Sequence, residues 1–346
     1  MRFRLRKQRE RDTALGLDLG SSQIKAAVVR RHRDKLELLE YAVRPLPLEI
    51  IKSYKEPQFA AELQQLLEGL KTPERRAFVT ISCGSAMVCQ AEFPPAPLTE
   101  IKSALKINSV PYLRRDFSSY YLDAFELKKG NQSSKSKTKV LIAGADKEEV
   151  DARRDALVAA KIKPEVIELA AVSVVNAFQV SHPELKDEVV VLVDIGARST
   201  SINVLQDGVP LITRIMHFGG AQLSEYIGQV LMLDPREAEQ QKVQMSPQVQ
   251  ELMKTAISPL SREIHSSVDF FERQNDSRVH RIFACGGSAG SPQVLEFLTE
   301  AIGIPVECWN PVTSLDISGL NGETPRVMAS GPSLAAAVGV AAARLS

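Results

Sequence analysis

One short pattern occurs twice, and its spacing limits the folds open to this chain. Asp18-Leu19-Gly20 closes the largely apolar run Ala14–Leu19, and Asp194-Ile195-Gly196 closes the almost continuous Val/Leu run Glu188–Ile195, about half of the 346-residue chain later. Each copy is followed by two more strand-like stretches, Ile24–Arg30 and Lys35–Val43 after the first, Thr200–Leu205 and Val209–His217 after the second. Gly20-Ser21-Ser22, His32-Arg33-Asp34 and Asp207-Gly208 supply the turns between them. A three-strand unit repeated at half-chain spacing, with helices between the copies, predicts two related α/β lobes that face each other across a cleft.

The rest of the chain reads as one insertion and a set of helices. A helix is expected over Pro57–Leu70, with Phe59, Leu63, Leu66, Leu67 and Leu70 on one face, and a strand over Ala77–Ser82. From Cys83 to about Lys163 the texture changes: a strand (Met87–Phe93), a Pro-rich corner, a helix capped by Thr99, strands Ser119–Leu127 and Lys139–Ala143 around a Lys/Ser-rich hairpin tip, and a helix Lys147–Lys161. This reads as a small α+β domain, residues 83–163, inserted into the first lobe. The first lobe is then 13–82 and 164–187 with the apolar C-terminal helix (332–346), and the second lobe is 188–331. After Gly219-Gly220 the chain reads as helical to about Gln274, with a helical subdomain near 228–250. Strand Val279–Ala284 and helix Pro292–Ile302 follow.

Composition excludes several classes. At 44% hydrophobic and 25% charged the chain is globular, and a net charge of +1 gives no ground for nucleic-acid binding. No apolar run approaches the roughly 18 residues of a membrane span, and the N-terminus, charged from Arg2, is not a secretory signal. The four cysteines lack C-x-x-C spacing, which disfavours a thiolate metal site. Residues 1–12 hold six cations against Glu10 and Asp12 and read as a basic, solvated tail, contact with anionic lipid being the other reading.

The repeated pattern suits phosphate. Glycines Gly20 and Gly196 let backbone N–H groups approach phosphate oxygens, and Ser21, Ser22, Ala197, Ser199 and Thr200 complete small, hydroxyl-rich turns. Opposed carboxylates Asp18 and Asp194 suit a Mg²⁺ ion that keeps its waters. A third glycine cluster, Gly286-Gly287-Ser288, lies between a strand and a helix. It matches the nucleophile elbow G-x-S-x-G, but that order needs a histidine after the serine, and the last histidine is His280. A bare backbone against which a flat ring can lie is the better reading. The dipeptide Gly-Lys never occurs, so there is no Walker A loop.

Two phosphate hairpins and a G-G-S turn, in this order, resemble the superfamily of actin, heat-shock chaperone and sugar-kinase ATPases. Lys25, seven after Asp18, and Thr200, six after Asp194, match spacings in actin, and Glu239 with Lys242 resembles the E-x-x-K pair that holds ribose hydroxyls in the chaperones. An ordinary surface ion pair has the same i,i+3 spacing. The position of the insertion resembles the FtsA-like branch; within it the sequence is more similar to the type IV pilus assembly family PilM than to FtsA, and the cytoplasmic region of a type II secretion protein is also similar, so related secretion assembly stays an alternative. That resemblance implies ATP and Mg²⁺ as cofactors, a location at the cytoplasmic face of the inner membrane through partners, and docking of the N-terminal tail of a PilN-like membrane protein by the inserted domain. Other pilus inner-membrane or motor proteins and self-association are further partners it implies. Tyr112, Phe117, Tyr120 and Tyr121 form an aromatic group there, read mainly as core. Asp194 acting through Mg²⁺ or water, and Glu168 at the start of the helix linking the lobes, are the candidate catalytic groups, with tight ATP binding and slow hydrolysis expected. A small-molecule kinase, an FtsA-like filament protein and a pseudo-ATPase remain the alternatives.

Overall fold

The structure, a computed structural model, describes residues 12–47, 57–127, 137–320 and 322–345. The basic tail up to residue 11 and most of the Lys/Ser-rich hairpin tip lie outside the described residues.

The chain opens with the meander β1 (Thr13–Leu19), β2 (Gln23–His32) and β3 (Lys35–Pro45), and helix α1 (Pro57–Glu68) returns it to β4 (Arg76–Ile81). Then come β5 (Met87–Phe93), α2 (Leu98–Ile107), α3 (Val110–Leu113), β6 (Tyr120–Glu126), β7 (Thr138–Asp146) and α4 (Lys147–Ala159), before β8 (Lys163–Leu169). Helix α5 (Ala170–Ser181) leads to a second meander, β9 (Val190–Ile195), β10 (Thr200–Gln206) and β11 (Val209–Met216). Helices α6 (Gly220–Leu231), α7 (Pro235–Gln244), α8 (Pro247–Ala256) and α9 (Ser258–Asn275) precede β12 (Arg281–Cys285), α10 (Pro292–Ile302) and β13 (Val306–Cys308). The chain closes with α11 (Thr324–Ser330) and α12 (Ala335–Ala342).

Two five-stranded sheets share one plan, β3-β2-β1-β4-β8 and β11-β10-β9-β12-β13. In each, an antiparallel meander is extended by parallel strands, which need crossover connections. The first-sheet crossover from β4 to β8 carries the third sheet, β5-β7-β6, whose antiparallel strands pack one face on α2 through Phe93, Ile101, Leu105, Ala124, Val140 and Ile142. Strand β9 is buried on both faces, as its unbroken Val/Leu run requires.

Several local expectations change in three dimensions. Helix α2 begins at Leu98, with Pro97 as its N-cap and Thr99 inside the first turn, because the Pro97 carbonyl accepts the N–H groups of Glu100 and Ile101. The long helical stretch is four helices: Met232 and Met245 turn left-handed at φ 55° and 51°, and Asp234 caps a fresh start by accepting from the N–H of Arg236 and Glu237. Strand β13 and α11 carry no clear periodicity in the sequence. The C-terminal helix begins with a 3-10 turn, Gly331–Leu334. The aromatic group divides in two, Phe93 stacking on Tyr112 at 4.3 Å and Phe117 meeting Tyr120 edge-on at 4.9 Å, while Tyr121 is exposed.

Helix α12 is buried on every side, which explains its uniformly small, apolar sequence. It lies on β1, β2 and β4 and against α5, the helix that links the lobes. At Gly339 the two helices approach so closely that a Cβ would collide with the Ser173 carbonyl. Because that obstacle is backbone, Gly339→Ala is expected to destabilise by about 2 kcal/mol in urea unfolding, whereas Gly319→Ala, with open space around it, should change stability by less than about 0.5 kcal/mol.

Candidate functional site

The repeated hairpins end at the same place. Asp18 at the end of β1 and Asp194 at the end of β9 both line a cavity of about 1520 Å³ between the two five-stranded sheets. Gly20, Ser21, Ser22 and Lys25 line it from the first lobe, and Gly196, Ala197, Ser199, Glu239, Lys242, Gly286, Gly287 and Ser288 line it from the second.

Antiparallel register builds the charged floor. Asp18 pairs with Lys25 across β1 and β2, so both side chains leave the same face, and Lys25 Nζ donates to Asp18 Oδ2 at 2.7 Å. Both side chains are largely buried. Burial and, after it, the Asp18 charge push the Asp194 carboxyl up to about 6, against the opposing pull of Lys25 and a hydrogen bond with Cys285. Asp18, Lys25 and Asp194 therefore feel one another across the cleft, a like-charge pair held by one cation. Cys285, buried beneath Asp194, has its thiol pushed well above the usual range by desolvation and by Asp194, and stays neutral.

The second hairpin is clamped by the helix beyond it. Gly196 N donates to Ser199 O at 3.1 Å, closing the turn, while Gly220 N and Ala221 N at the start of α6 donate to the carbonyls of Gly196 and Ala197 at 2.9 and 2.7 Å. The glycine turn after β12 is fixed by backbone geometry: Gly286 has φ +93°, a Cβ there would stand 2.5 Å from Asp194 Oδ1, and its N–H donates to Pro332 O at 2.8 Å. Only glycine fits. Glu239 and Lys242 on α7 form an ion pair of 2.7 Å; Ser224 Oγ donates to Glu239 at 2.6 Å and Lys242 Nζ donates to Gly220 O at 3.0 Å. These added bonds hold the pair against α6 and over the cleft, beyond what an isolated surface ion pair would do.

Two expected residues stand elsewhere. Thr200 is fully buried, and its hydroxyl donates to Phe218 O at 2.7 Å, so it does not reach the cleft. The residue paired with Asp194 is Ser201, seven positions on, as Lys25 is from Asp18. Its buried hydroxyl has no hydrogen-bond partner among the described residues. That position was legible by laying one repeat on the other. Glu168 is also withdrawn from the site. It accepts from Ser173 Oγ at 2.7 Å and Arg344 at 3.0 Å, in a network that includes Thr80, and desolvation raises its pKa. The α5 residue that lines the cleft is Ala170. Also on the cleft wall are Arg198, which lies within the second hairpin of the repeat, and Arg236 and Gln293, which no motif marks.

A second contact joins the lobes. Gln90 on β5 donates through Nε2 to the carbonyls of Pro210 and Leu211 on β11, at 3.3 and 3.0 Å. At the other end of β11, His217 approaches Gly84, the entry to the third sheet, so closely that a Cβ there would lie 3.1 Å from His217 Cε1. Strand β11 thus runs from the third sheet to Gly219-Gly220, which clamps the second hairpin.

The family model described as type IV pilus assembly protein PilM matches residues 16–345, almost the whole chain. The chain belongs to this family. A solved structure of a PilM–PilN type IV pilus biogenesis complex superposes with a TM-score of 0.86 at 24% identity, covering 96% of this chain and 98% of that one. The ethanolamine utilization protein EutJ from Carboxydothermus hydrogenoformans superposes at 0.55 and 15% identity, over 96% and 89%. The fold is that of the actin-like ATPases, and the chain is an actin-like protein of type IV pilus assembly. Among the described residues no helix is long and apolar enough to cross a membrane.

The raised Asp194 pKa has a stability consequence with a defined sign. A carboxyl that titrates near 6 when folded and near 3.8 when unfolded holds its proton more tightly in the native state, so stability falls as pH rises through that window. Asp194→Asn, without the charge, is expected to unfold at higher urea than the parent at pH 8, by up to about 3 kcal/mol, with the difference closing near pH 4.

Proposed function

We propose that this protein binds ATP in the cleft and uses it to set the geometry in which it docks the cytoplasmic tail of a PilN-like membrane protein during pilus assembly. One observation carries the reading: the two hairpins of the repeat converge until Asp18, Lys25 and Asp194 interact across a single cleft. Lys25 and the backbone at Gly20 suit phosphate oxygens, while the Gly196 N–H closes its own turn on Ser199 O. Glu239 and Lys242 suit ribose hydroxyls, and the bare Gly286-Gly287 backbone suits a flat base. Among the described residues no three His, Cys, Asp or Glu side chains cluster for a metal. Mg²⁺ fits nonetheless, since it is ordinarily held by one or two carboxylates together with nucleotide phosphates and water, and Asp18 and Asp194 supply the carboxylates. Bound there, the ion would neutralise phosphate charge.

Fast hydrolysis needs a side chain that orients water in line with the terminal phosphate. With Glu168 held by Ser173 and Arg344 and Ala170 at the cleft wall, the reading is one of binding with slow turnover. Coupling to the docked tail is carried by β11, which touches the second hairpin's clamp at one end and the third sheet along its length. A ligand shifts such an equilibrium only by its differential affinity for the two arrangements.

Titration with a fluorescent ATP analogue and Mg²⁺ tests both parts. Saturable binding is expected, weakened about 10- to 100-fold in Lys25→Ala through loss of a charge-assisted contact. A synthetic PilN-like tail peptide is expected to tighten it. Absence of nucleotide binding with and without peptide would leave a scaffold that keeps only the fold. Gln90→Ala is expected to preserve nucleotide affinity within about twofold and to reduce the tightening by peptide, because it removes only the tie between β5 and β11 and leaves the cleft untouched.

A further inference from the structure

The third sheet carries an exposed corner where α2 meets α3. Helix α2 turns Ile101 and Leu105 inward, both almost fully buried, and leaves Ile107 at its last position 85% exposed. Val110, the first residue of α3, is 46% exposed, and Pro111 beside it is also exposed. Residues 102–115 contain the cations Lys102, Lys106, Arg114 and Arg115 and no acid. Lys102 is paired with Asp123 at 2.6 Å, and Arg115 lies over the Phe117 ring at 5.4 Å. Glu100 lies at the far end of α2, and Asp116, a carboxylate that accepts from Ser118, follows Arg115, so the four cations outnumber the two acids that flank the segment.

This corner is held rigid from within. Ser109, almost fully buried, donates through Oγ to Arg115 O at 3.1 Å and accepts from Phe117 N at 2.9 Å. Asn108 Oδ1 accepts from Val110 N at 3.1 Å, and Tyr112 is anchored on Phe93. The apolar side chains are therefore presented outward by a fixed turn and cannot fold back.

We infer that the α2–α3 corner, Ile107, Val110 and Pro111 with Lys106, Arg114 and Arg115, is a docking surface for an anionic lipid bilayer. An exposed apolar turn with cations before and after it in the chain matches the boundary between acyl chains and acidic headgroups: the apolar residues would enter the acyl layer while the cations face phosphate. Three exposed apolar residues are far fewer than the roughly 20–30 residues a side of a standard protein interface. The inference concerns a different surface from the cleft and stands apart from nucleotide binding.

Flotation of the full chain with vesicles decides it. Binding is expected to phosphatidylcholine vesicles containing phosphatidylglycerol and not to phosphatidylcholine alone, and to weaken as salt rises. The double variant Ile107→Ser with Val110→Ser should reduce partitioning about tenfold, and Lys106→Gln about fivefold. Since these side chains are exposed, thermal melting of both variants should match the parent. Equal partitioning of parent and variants would overturn the inference, as would binding that survives the corner variants and is lost on removing residues 1–11. A parent that self-associates in sedimentation velocity without vesicles, where the double variant is monomeric, would instead assign the corner to a second copy of the chain.

Discussion

The close crossing of α5 and α12 is the constraint on which the rest of the molecule depends. Neither helix belongs to one lobe alone. Ala170, Val174, Phe178, Ala335 and Ala336 share a core with Val190, Leu192, Leu205 and Phe283 of the second sheet, while Ala337, Val338 and Ala341 pack with Ala14, Ala27 and Val29 of the first. A helix of alanine, valine and glycine, α12, can approach α5 to backbone contact where Gly339 meets the Ser173 carbonyl, and that short distance draws the two sheets together. The ends of β1 and β9 then meet, and a cleft exists between them because the hinge behind them is tight.

Convergence of the strand ends brings an electrostatic cost. Asp194 is poorly solvated and within interacting distance of Asp18, and its pKa is raised first by burial and then by the Asp18 charge, which Lys25 offsets only in part. A site strained in this way favours whatever brings positive charge near Asp194. The same logic explains the neutral thiol of Cys285 below it. The wall opposite is stiff, with α6 bonded to the second hairpin and the Glu239–Lys242 pair tied to Ser224 and Gly220. The proposed link to the third sheet through β11 follows from the same rigidity, since a strand bonded along its length transmits displacement rather than absorbing it.

Much of this was legible because the chain says it twice. The repeated Asp-x-Gly after an apolar run marked both hairpins, and the seven-residue spacing shared with actin singled out Lys25, which the β1–β2 register then sets beside Asp18. What failed did so where orientation depends on distant groups. Thr200 has the expected spacing, but the register of β10 on β9 turns it toward Phe218 and presents Ser201 beside Asp194. Glu168 occupies the expected segment, yet Arg344, 176 residues away in sequence, turns it from the cleft. The left-handed methionines Met232 and Met245 have no sequence signature of their own, and the signals for these breaks are the helix starts that follow them, Asp234-Pro235 and Ser246-Pro247.

By itself, then, the sequence determined the two-lobed plan, the inserted domain and the small-residue turns, since each rests on local periodicity and on residues whose backbone freedom or lack of side chain has one local use. Tertiary structure alone decided which polar groups face the cleft and which are consumed by the scaffold. It also decided that Asp194 holds its proton to about pH 6 and that β11 touches the third sheet. Those outcomes depend on distances between groups far apart in the chain, and both Coulomb interaction and desolvation are set by such distances rather than by residue type.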